Sequence, residues 1–391
     1  MILEAQGIQM VDTPENGTAQ RLSDGILPPR AYTDPDVFRA EADGIFRRCW
    51  LFVGFTDDLA GDNDFITADI AGTSVVVQNF GGELRALHNV CSHRFARIHD
   101  KPCGNRRLQC PYHGWLYNKD GVPAGIPGNE DFFGLDRTAR QTRALQRFEV
   151  ATRGRFVFVR LDPGGPSLDV HLGAYGPVLD HASAMFPTRF DDQTLDWAAN
   201  WKIGVESVLE VYHVETTHPE TFKPFFKKIW NVAESGPHSL GQAVLSDAGE
   251  RYWNGIVKHL GLRRTDRHSG YENYLIFPNL AVGITHGSML SVQTYDPIDD
   301  GRCALRFRLL LADSDHPERR ERAAWRHVVE SLRAINLRVL AEDRVVSESV
   351  QRGIRQARWP AIPGWNEDRI RAFHRAYGAW MDGWRACMEQ T

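Results

Sequence analysis

Two pairs of residues with metal-binding side chains lie close together in the first third of the sequence. Cys91 and His93 form a Cys-x-His pair, and Cys110 and His113 form a Cys-x-x-His pair after sixteen intervening residues. Thiolates and imidazoles are ligands of zinc and of iron–sulfur clusters. The spacing therefore predicts a metal centre held by two loops.

The composition of each pair distinguishes between the two kinds of centre. Structural zinc sites favour Cys-x2-4-Cys pairs, whereas each pair here contributes one sulfur and one nitrogen. In a Rieske [2Fe-2S] cluster two cysteines hold one iron and two histidines hold the other, so each loop supplies one ligand of each kind. We interpret the four residues as ligands of such a cluster. A zinc-stapled binding module, which would be colourless, is the alternative.

A second set of candidate metal ligands lies in the middle of the chain. Glu206, Glu210 and His213 are spaced i, i+4 and i+7, which predicts that they share one face of a helix. Pro219 disfavours continuation of that helix, so His218 can turn back from its end towards His213. Two histidines and one carboxylate are the ligand set of non-haem iron(II) oxygenases.

The carboxylate of that set must come from another part of the chain. In the stretch SLRAINLRVLAEDRVVSESVQRG the apolar residues recur at helical intervals. Glu342 and Asp343 both fall at the edge of the apolar face. Either side chain is therefore a candidate third ligand.

These motifs resemble those of the Rieske non-haem iron oxygenases, in particular the large (alpha) oxygenase subunit of ring-hydroxylating and quaternary-ammonium enzymes. The family pattern is Cys-x-His-Arg-Gly with Cys-Pro-x-His-Gly-Trp, and this chain has CSHRF and CPYHGW. Phe95 is the one departure, since the family usually has glycine there. Respiratory Rieske proteins carry an additional cysteine in each loop, where this chain has Ala96 and Tyr112, so that branch is disfavoured.

The resemblance implies roles for individual residues. The family carries its carboxylate ligand on a late helix, in a Glu-Asp pair upstream of Gln-Arg-Gly, which selects Asp343 for the mononuclear Fe(II), with Glu342 as the fallback. An acidic residue three before the first histidine ligand links that ligand to a Rieske histidine of the neighbouring subunit in a homotrimer. That role falls on Glu210, bridging His213 and the partner subunit's His113. Tyr212, beside His213, is a further candidate catalytic residue.

The resemblance also implies a function. The chain would be a terminal oxygenase component that uses O2 and electrons from a separate ferredoxin or flavin reductase, and hence NAD(P)H, to mono- or dioxygenate a small organic substrate such as an aromatic ring. The alternative is oxidative N- or O-demethylation of a quaternary ammonium or other methylated compound, because glutamate at position 210 is typical of the quaternary-ammonium members. A Rieske electron-transfer protein without oxygenase activity is the alternative of another class.

The composition excludes other classes of function. A net charge of -4 and a pI near 6.4 give no basic surface for nucleic acid. No apolar run approaches the roughly 18 residues of a membrane span, and the N-terminus lacks the basic and apolar regions of a secretory signal. Six cysteines are too few for a disulfide framework. We therefore expect a cytoplasmic protein that contacts neither membrane nor nucleic acid.

The elements that must position these ligands predict an α+β protein. At 391 residues the chain exceeds the roughly 250–300 that one core supports, so two domains are expected. Glycine-punctuated strand patterns predict a small all-β Rieske domain over residues 47–162, ended by Pro163–Pro166. Residues 1–46, with a helix over 34–49, form a lead-in that belongs to the catalytic domain over residues 163–391.

The catalytic domain is expected to place helices against a sheet. Helical patterns cover residues 200–217, about 316–355 and about 365–388. The resemblance implies an antiparallel sheet covered by helices, in a helix-grip, START-like arrangement. It also implies that residues 271–297 line the substrate pocket.

Overall fold

The computed structural model describes residues 9–10, 25–264 and 268–388 of the chain. They divide into two compact units, one of residues 46–171 and the other of the chain up to Ile45 together with the chain from Leu172 onward. Most of the predicted lead-in before residue 25 lies outside the described residues. Among the helices of the described part, none is long and apolar enough to cross a membrane.

The described lead-in contains the strand β1 (Gln9–Met10) and the helix α1 (Pro35–Glu41). The Asp34 carboxylate caps α1 by accepting a hydrogen bond from the Asp36 N–H at 2.9 Å, and Pro35 occupies the first helical position, as predicted. A π-helical turn follows, and helical structure ends at Phe46 rather than at residue 49.

The unit of residues 46–171 is an all-β domain, as the glycine-punctuated pattern predicts. Its elements are β2 (Leu51–Phe55), β3 (Asp64–Ile70), β4 (Thr73–Phe80), β5 (Glu83–His88), β6 (Cys103–Asn105), β7 (Leu116–Tyr117), β8 (Pro123–Gly125), α2 (Arg137–Gln141), β9 (Arg147–Arg153) and β10 (Phe156–Arg160). Seven strands form one antiparallel sheet in the order β2-β10-β9-β5-β4-β3-β6, and β7 pairs with β8. The two Cys/His loops follow β5 and β6.

This unit extends beyond the predicted end at residue 162. The Trp50 indole N–H donates to the Pro166 carbonyl at 2.9 Å, and Asp169 pairs with Arg153 at 2.8 Å. These contacts hold the Pro-Gly segment and the residues after it against the strands. The compact unit therefore ends at His171.

The second unit joins helices to an antiparallel sheet, which confirms the predicted α+β class. The helix α3 (Leu168–Leu172) ends the first unit, and only Leu172 belongs to the second. The further elements of the second unit are α4 (Gly176–Met185), β11 (Thr188–Trp197), α5 (Trp201–Ser207), α6 (Val214–Thr217), β12 (Phe226–Ser235), β13 (His238–Leu245), α7 (Asp247–Leu260), β14 (Tyr271–Ile276), β15 (Leu280–Thr285), β16 (Met289–Asp299), β17 (Arg302–Leu311), α8 (Ala323–Ile354) and α9 (Asp368–Met388). Eight strands pair in the order β1-β12-β13-β14-β15-β16-β17-β11.

Shorter 3-10 or π-helical turns of both units lie at Pro29–Tyr32, Ala42–Phe46, Thr56–Leu59, Asn129–Phe133, Gly173–Tyr175, Lys223–Phe225, Pro317–Glu321 and Trp365–Glu367.

The segment 200–217 is two short helices, α5 and α6, rather than one. The prediction that Glu206, Glu210 and His213 share a helix face is therefore wrong. The Glu210 carboxylate accepts hydrogen bonds from the N–H groups of Tyr212 and His213, the latter at 3.2 Å. These two N–H groups therefore bond to a side chain instead of to the carbonyls of a preceding helical turn. The helix is interrupted at this point, and the chain turns between α5 and α6.

The long helix α8 carries a carboxylate on its buried face. Its buried residues are Val329, Leu332, Val339, Leu340, Asp343, Ser347 and Gln351. Most of them are three, four or seven residues apart, which is the spacing of one helix face. Asp343 is the charged member of this face, so the packing of α8 directs a carboxylate into the unit.

A buried ion pair ties α1 to α5 and α9. The Lys202 ammonium donates to the Glu41 carboxylate at 2.5 Å, and the two side chains are 0% and 1% exposed. Trp201 and Tyr377 donate to the same carboxylate at 2.8 and 2.7 Å. Burial lowers the pKa of Lys202, and the charge and hydrogen bond of Glu41 oppose that shift. The carboxylate therefore compensates a cation that has no access to water.

Glu41→Gln should lower the free energy of unfolding by about 3–5 kcal/mol, because it leaves the Lys202 charge buried without a counter-ion. Urea unfolding followed by circular dichroism measures the loss. The loss should become smaller as the pH rises. In the variant, burial without Glu41 lowers the pKa of Lys202 below its value in the unfolded chain, so the unfolded chain binds more protons and becomes less favourable at high pH.

The double variant Glu41→Gln, Lys202→Met is the control. It keeps an amide oxygen for Trp201 and Tyr377 and removes the buried charge, so it should regain most of the stability. A double variant as unstable as the single one would show that the ion pair is not the source of the loss.

Candidate functional site

The two Cys/His loops of the first unit close with the same hydrogen bonds. In the first loop the Phe95 N–H donates to the Cys91 carbonyl at 3.0 Å, and the Cys91 N–H donates to the Ala96 carbonyl at 2.9 Å. In the second loop the Gly114 N–H donates to the Cys110 carbonyl at 3.1 Å, and the Cys110 N–H donates to the Trp115 carbonyl at 2.8 Å. Each cysteine therefore opens an equivalent turn that also carries a histidine.

These turns bring the four predicted cluster ligands together. Cys91 and Cys110 are buried, and the rings of His93 and His113 lie 4.6 Å apart between centroids. Burial, together with the neighbouring Cys91 thiol, raises the pKa of Cys110. Two thiols and two imidazoles thus converge from two loops, as a Rieske cluster requires.

One unsatisfied atom favours a metal at this place. The His93 ring stacks on Trp115 at 4.9 Å, and its buried Nδ1 has no hydrogen-bond partner among the described residues. A buried polar atom without a partner is costly, and coordination to iron would satisfy it. The residues present therefore fit a [2Fe-2S] cluster.

Tyr117 is a contact of the cluster site that the sequence analysis missed. Its hydroxyl lies 3.0 Å from the Cys91 Sγ and accepts a hydrogen bond from the Ser92 N–H at 3.0 Å. Hydrogen bonds to cluster sulfurs are one determinant of the reduction potential. Nothing in the spacing of the motif points to a tyrosine on β7, because only the folding of the strand brings it to the loop.

Phe95 has the backbone conformation of the glycine that it replaces. Its φ is +62°, and Gly114 at the equivalent position of the second loop has φ +74°. A side chain in the left-handed region is uncommon and costs about 1–2 kcal/mol. The Phe95 side chain is 79% exposed, so the turn keeps its hydrogen bonds without placing the ring in the core.

In the second unit three predicted ligands meet. His218 Nε2 lies 3.2 Å from His213 Nε2 and 2.8 Å from Asp343 Oδ1, and His213 Nε2 lies 3.5 Å from Asp343 Oδ1. In a facial triad with metal–ligand distances of about 2.1 Å, neighbouring ligand atoms are about 3 Å apart. The three separations therefore fit one metal ion with its remaining positions open on the other side.

Two glutamates hold the opposite edges of the histidine rings. Glu210 Oε1 contacts His213 Nδ1, and Glu342 Oε2 lies 2.7 Å from His218 Nδ1. Thr221 donates to the same Glu342 oxygen at 2.6 Å. Carboxylates in such positions fix the tautomer and orientation of metal-binding imidazoles. Glu342 thus faces the far side of His218, whereas Asp343 faces the point where the ligands converge.

The electrostatics of the three residues favour a cation. Burial lowers the pKa of His213, but hydrogen bonds and charges of Asp343 and Glu210 outweigh it and raise that pKa to about 10. Burial likewise raises the pKa of Asp343, but hydrogen bonds from the two histidines lower it overall. The site therefore retains positive charge in the form of protons. A divalent ion can replace those protons, because metal binding to imidazole releases them.

Two other residues that the sequence analysis named, Glu206 and Tyr212, are not part of the three-ligand cluster. Glu206 accepts a hydrogen bond from the Tyr32 hydroxyl at 2.7 Å and lies 2.9 Å from the His374 ring, so it belongs to the packing of α5 and not to the metal site. Tyr212 lines the cavity beside the metal site, but its side chain is 70% exposed. The contact of Glu342 with His218 could have been anticipated from the adjacent Glu-Asp pair on α8. Successive helical residues point about 100° apart, so the two carboxylates can contact the two different nitrogens of one imidazole.

A cavity of about 970 Å³ opens beside the three ligands. Besides Tyr212, its lining includes the aromatic residues Phe222, Phe225, Phe226, Trp230, Tyr252, Trp253, Tyr271 and Phe307. Five residues of the predicted pocket segment also line it, namely Tyr271, Thr285, Met289, Ser291 and Gln293. Small-molecule sites are typically concave and largely apolar, with a few polar groups that fix orientation.

Comparison with protein families matches both units. Residues 49–147 match the model of the Rieske [2Fe-2S] domain, and residues 187–383 match that of the ring hydroxylating alpha subunit (catalytic domain). Among curated proteins, the chain is 33% identical over 275 residues to the N,N-dimethyl phenylurea N-demethylase subunit alpha of Sphingobium sp. (strain YBL2), covering 67% of this chain and 57% of that protein.

A second curated relative and two solved structures extend the comparison. The carnitine monooxygenase oxygenase subunit of Escherichia coli (strain K12) is 32% identical over 213 residues, covering 53% of this chain and 55% of that protein. The chain spans about half the length of these curated relatives. A quaternary ammonium Rieske monooxygenase in complex with L-carnitine has a TM-score of 0.75 at 19% identity, covering 94% of this chain and 100% of that chain. Naphthalene 1,2-dioxygenase from Rhodococcus sp. has a TM-score of 0.73 at 21% identity, covering 93% and 97%.

Glu342→Gln should weaken Fe(II) binding by about 10- to 100-fold, because the amide orients His218 less firmly than a carboxylate does. Anaerobic titration of the metal-free protein against a competing chelator measures the affinity. Asp343→Asn should abolish binding at the three-ligand site.

Glu330→Gln is the matched control, since this glutamate lies on the same helix and its side chain is 64% exposed. It should leave the Fe(II) affinity unchanged. Equal affinities for the Glu342 variant and this control would contradict the assigned role of Glu342.

Proposed function

The chain belongs to the family of Rieske ring-hydroxylating oxygenase alpha subunits, and we propose that it is the terminal oxygenase component of a multi-protein system. The observation that carries the proposal is the facial arrangement of His213, His218 and Asp343 beside an aromatic cavity. An electron carrier needs no such second site. Three ligands with open positions next to a substrate-sized cavity are what an O2-dependent enzyme needs.

We propose two metal groups for this chain. Cys91, His93, Cys110 and His113 would hold the [2Fe-2S] cluster, while the facial triad would hold Fe(II). Iron held in these sites supplies one-electron and O2 chemistry. The protein's part is to keep both sets of ligands convergent and to hold the substrate in the cavity beside the triad.

Glu210 is the proposed link between the two kinds of site. One of its oxygens contacts His213 Nδ1, and its side chain is only 10% exposed. Its oxygens retain lone pairs that can accept a hydrogen bond from the partner subunit's His113 in a homotrimer. The carboxylate would then fix both imidazoles and shorten the electron path between subunits. Inter-subunit electron transfer is described for the solved quaternary ammonium Rieske monooxygenase, which supports this arrangement.

The reaction we propose is hydroxylation of a small organic substrate, by mono- or dioxygenation. Oxidative N- or O-demethylation is the second candidate, since hydroxylation of a methyl group beside nitrogen or oxygen releases formaldehyde. The relatives that are a phenylurea N-demethylase subunit and a carnitine monooxygenase subunit favour this second outcome. The glutamate at position 210, which resembles that of quaternary-ammonium members, favours it as well.

The electrons would come from a separate ferredoxin or flavin reductase that oxidises NAD(P)H. We also propose a cytoplasmic location, where reduced thiols are available as cluster ligands. The first and second units would correspond to the Rieske domain and the mononuclear iron domain.

The anaerobically purified protein should contain about three irons and two acid-labile sulfides per chain, the sum of a [2Fe-2S] cluster and one mononuclear iron. Iron and sulfide analysis with electron paramagnetic resonance after dithionite reduction measures this. His213→Ala should retain the cluster signal and about two irons, and it should lose substrate-dependent O2 uptake. A wild-type protein that holds two irons even after ferrous iron is added back would be an electron carrier instead.

Glu210→Gln should retain both metal groups and lower substrate-dependent O2 uptake by at least about tenfold, because the amide pairs less well with two imidazoles. The informative readout is the rate at which O2 reoxidises the pre-reduced cluster, which should fall in parallel. Glu220→Gln, at a glutamate that is 73% exposed and paired with Arg338, should change neither rate. Unchanged reoxidation in the Glu210 variant would remove Glu210 from the electron path.

A further inference from the structure

A buried cation without a counter-ion lies behind the cavity wall. The Arg369 side chain is 0% exposed, and it donates to the Ser239 Oγ at 3.1 Å and to the Asn273 Oδ1 at 3.0 Å. Its other acceptors are backbone carbonyls of Val208 and Ser239. No carboxylate of the described residues forms an ion pair with it. Burial lowers the pKa of Arg369 to about 10, so the guanidinium is still charged at neutral pH.

Asn273 transmits this charge towards the cavity. Arginine has only donor groups, so the side-chain oxygen of Asn273 must face it and the amide nitrogen must face away. That nitrogen donates to the Tyr271 hydroxyl at 3.3 Å. Tyr271 lines the cavity, and no described residue accepts the proton of its hydroxyl. Burial raises the pKa of Tyr271, so the hydroxyl keeps this proton at neutral pH.

Two glycines make room for this chain of hydrogen bonds. Asn273 pairs with Gly241 on β13 and with Gly283 on β15. A Cβ at Gly241 would lie 2.1 Å from the Trp230 ring and 2.7 Å from the Arg369 Nη1. A Cβ at Gly283 would lie 2.5 Å from the Ser291 Oγ and 3.6 Å from the Tyr271 hydroxyl. The same face of the sheet thus holds the relay and the cavity floor.

A second donor lies on that floor. Gln293 lines the cavity, and its side-chain oxygen already accepts a hydrogen bond from the Tyr295 hydroxyl at 2.8 Å. Its amide NH2 group is therefore available to a ligand. Together with Tyr271 it makes this wall of the cavity a donor surface.

We propose that Tyr271, oriented by Asn273 and Arg369, is a specificity-determining residue that binds a hydrogen-bond acceptor oxygen of the substrate. The acceptor is a carbonyl or a carboxylate oxygen on an otherwise apolar, aromatic-sized molecule. This inference rests on the proposed function, since it names the substrate class of the same cavity. Hydrogen bonds fix a substrate's orientation relative to the metal, and an unpaired donor would reject analogues that lack the oxygen.

The same charge disfavours a cationic group at this wall. Trp230 lines the cavity, and the Arg369 guanidinium lies 5.8 Å from its ring centroid. A second cation on this ring would be repelled by Arg369 in a low-dielectric environment. An aromatic cage for a quaternary ammonium group is therefore not formed at Trp230, although the ring is of the right type.

Four probes of similar size test the inference by binding, without turnover: N,N-dimethylbenzamide, benzoate, isopropylbenzene and phenyltrimethylammonium. Isothermal titration calorimetry on the iron-loaded full chain gives the dissociation constants. The amide or the carboxylate should bind about tenfold or more tightly than the hydrocarbon and the cation, the size of one well-formed hydrogen bond. The comparison of the first two probes shows whether a carbonyl or a carboxylate is preferred.

Tyr271→Phe should remove that preference and leave the affinity for isopropylbenzene unchanged. Asn273→Asp should act in the same way, because the new carboxylate accepts the Tyr271 proton and neutralises Arg369. Tyr175→Phe is the matched control, since this tyrosine is buried, does not line the cavity, and its hydroxyl has no hydrogen-bond partner among the described residues. This variant should bind all four probes like the wild type.

Wild-type affinities for the amide and the carboxylate in the Tyr271 variant would overturn the inference, and so would an equal loss in the Tyr175 variant. Because binding is measured without turnover, a lack of O2 uptake would count against the proposed function alone.

Discussion

Three ligand atoms from two distant parts of the chain must meet within about 3 Å of one another, and the architecture of the second unit serves this requirement. The histidines come from the short helix α6 and its end, and Asp343 comes from the buried face of α8. The lone pairs of nitrogen and oxygen atoms at such separations repel one another unless a metal ion or protons lie between them. Glu210 and Glu342 support the ligands, because each carboxylate contacts the Nδ1 of one imidazole and so holds its Nε2 towards the other ligand atoms.

Three buried charged side chains of this unit have three different kinds of partner. Lys202 has a carboxylate partner, which makes it a structural tie between helices. Asp343 faces two histidines, which makes it ready for a metal. Arg369 has only neutral acceptors, so its charge extends to the groups around it. Burying a charge without a counter-ion costs free energy, and perturbed buried charges cluster at functional sites. The function inferred for the Arg369 charge is to orient, through Asn273, the Tyr271 hydroxyl that lines the cavity.

The two ligand loops of the first unit have the same backbone structure. Both ligand loops use one turn, with the same pair of backbone hydrogen bonds after each cysteine. The turn requires a left-handed residue four positions after the cysteine, which is glycine in one loop and phenylalanine in the other. The phenylalanine shows that the backbone hydrogen bonds and the buried ligands outweigh a local strain of about 1–2 kcal/mol.

The sequence by itself determined the chemistry of the chain: the mixed Cys/His pairs, the two spaced histidines and the Glu-Asp pair are local patterns whose residue types decide which metal they can hold. It also determined the α+β class and the capped start of α1, because periodicity and caps act over a few residues. Only the tertiary structure decided that the helix over 200–217 breaks and that Glu206 lies outside the site. It also places Asp343 rather than Glu342 at the point of convergence, in agreement with what the family resemblance implied. The relay from Arg369 to Tyr271 also became visible only there. Arg369 lies 96 residues from Asn273 in the chain, and hydrogen bonds between strands and helices have no periodic signature in a single sequence.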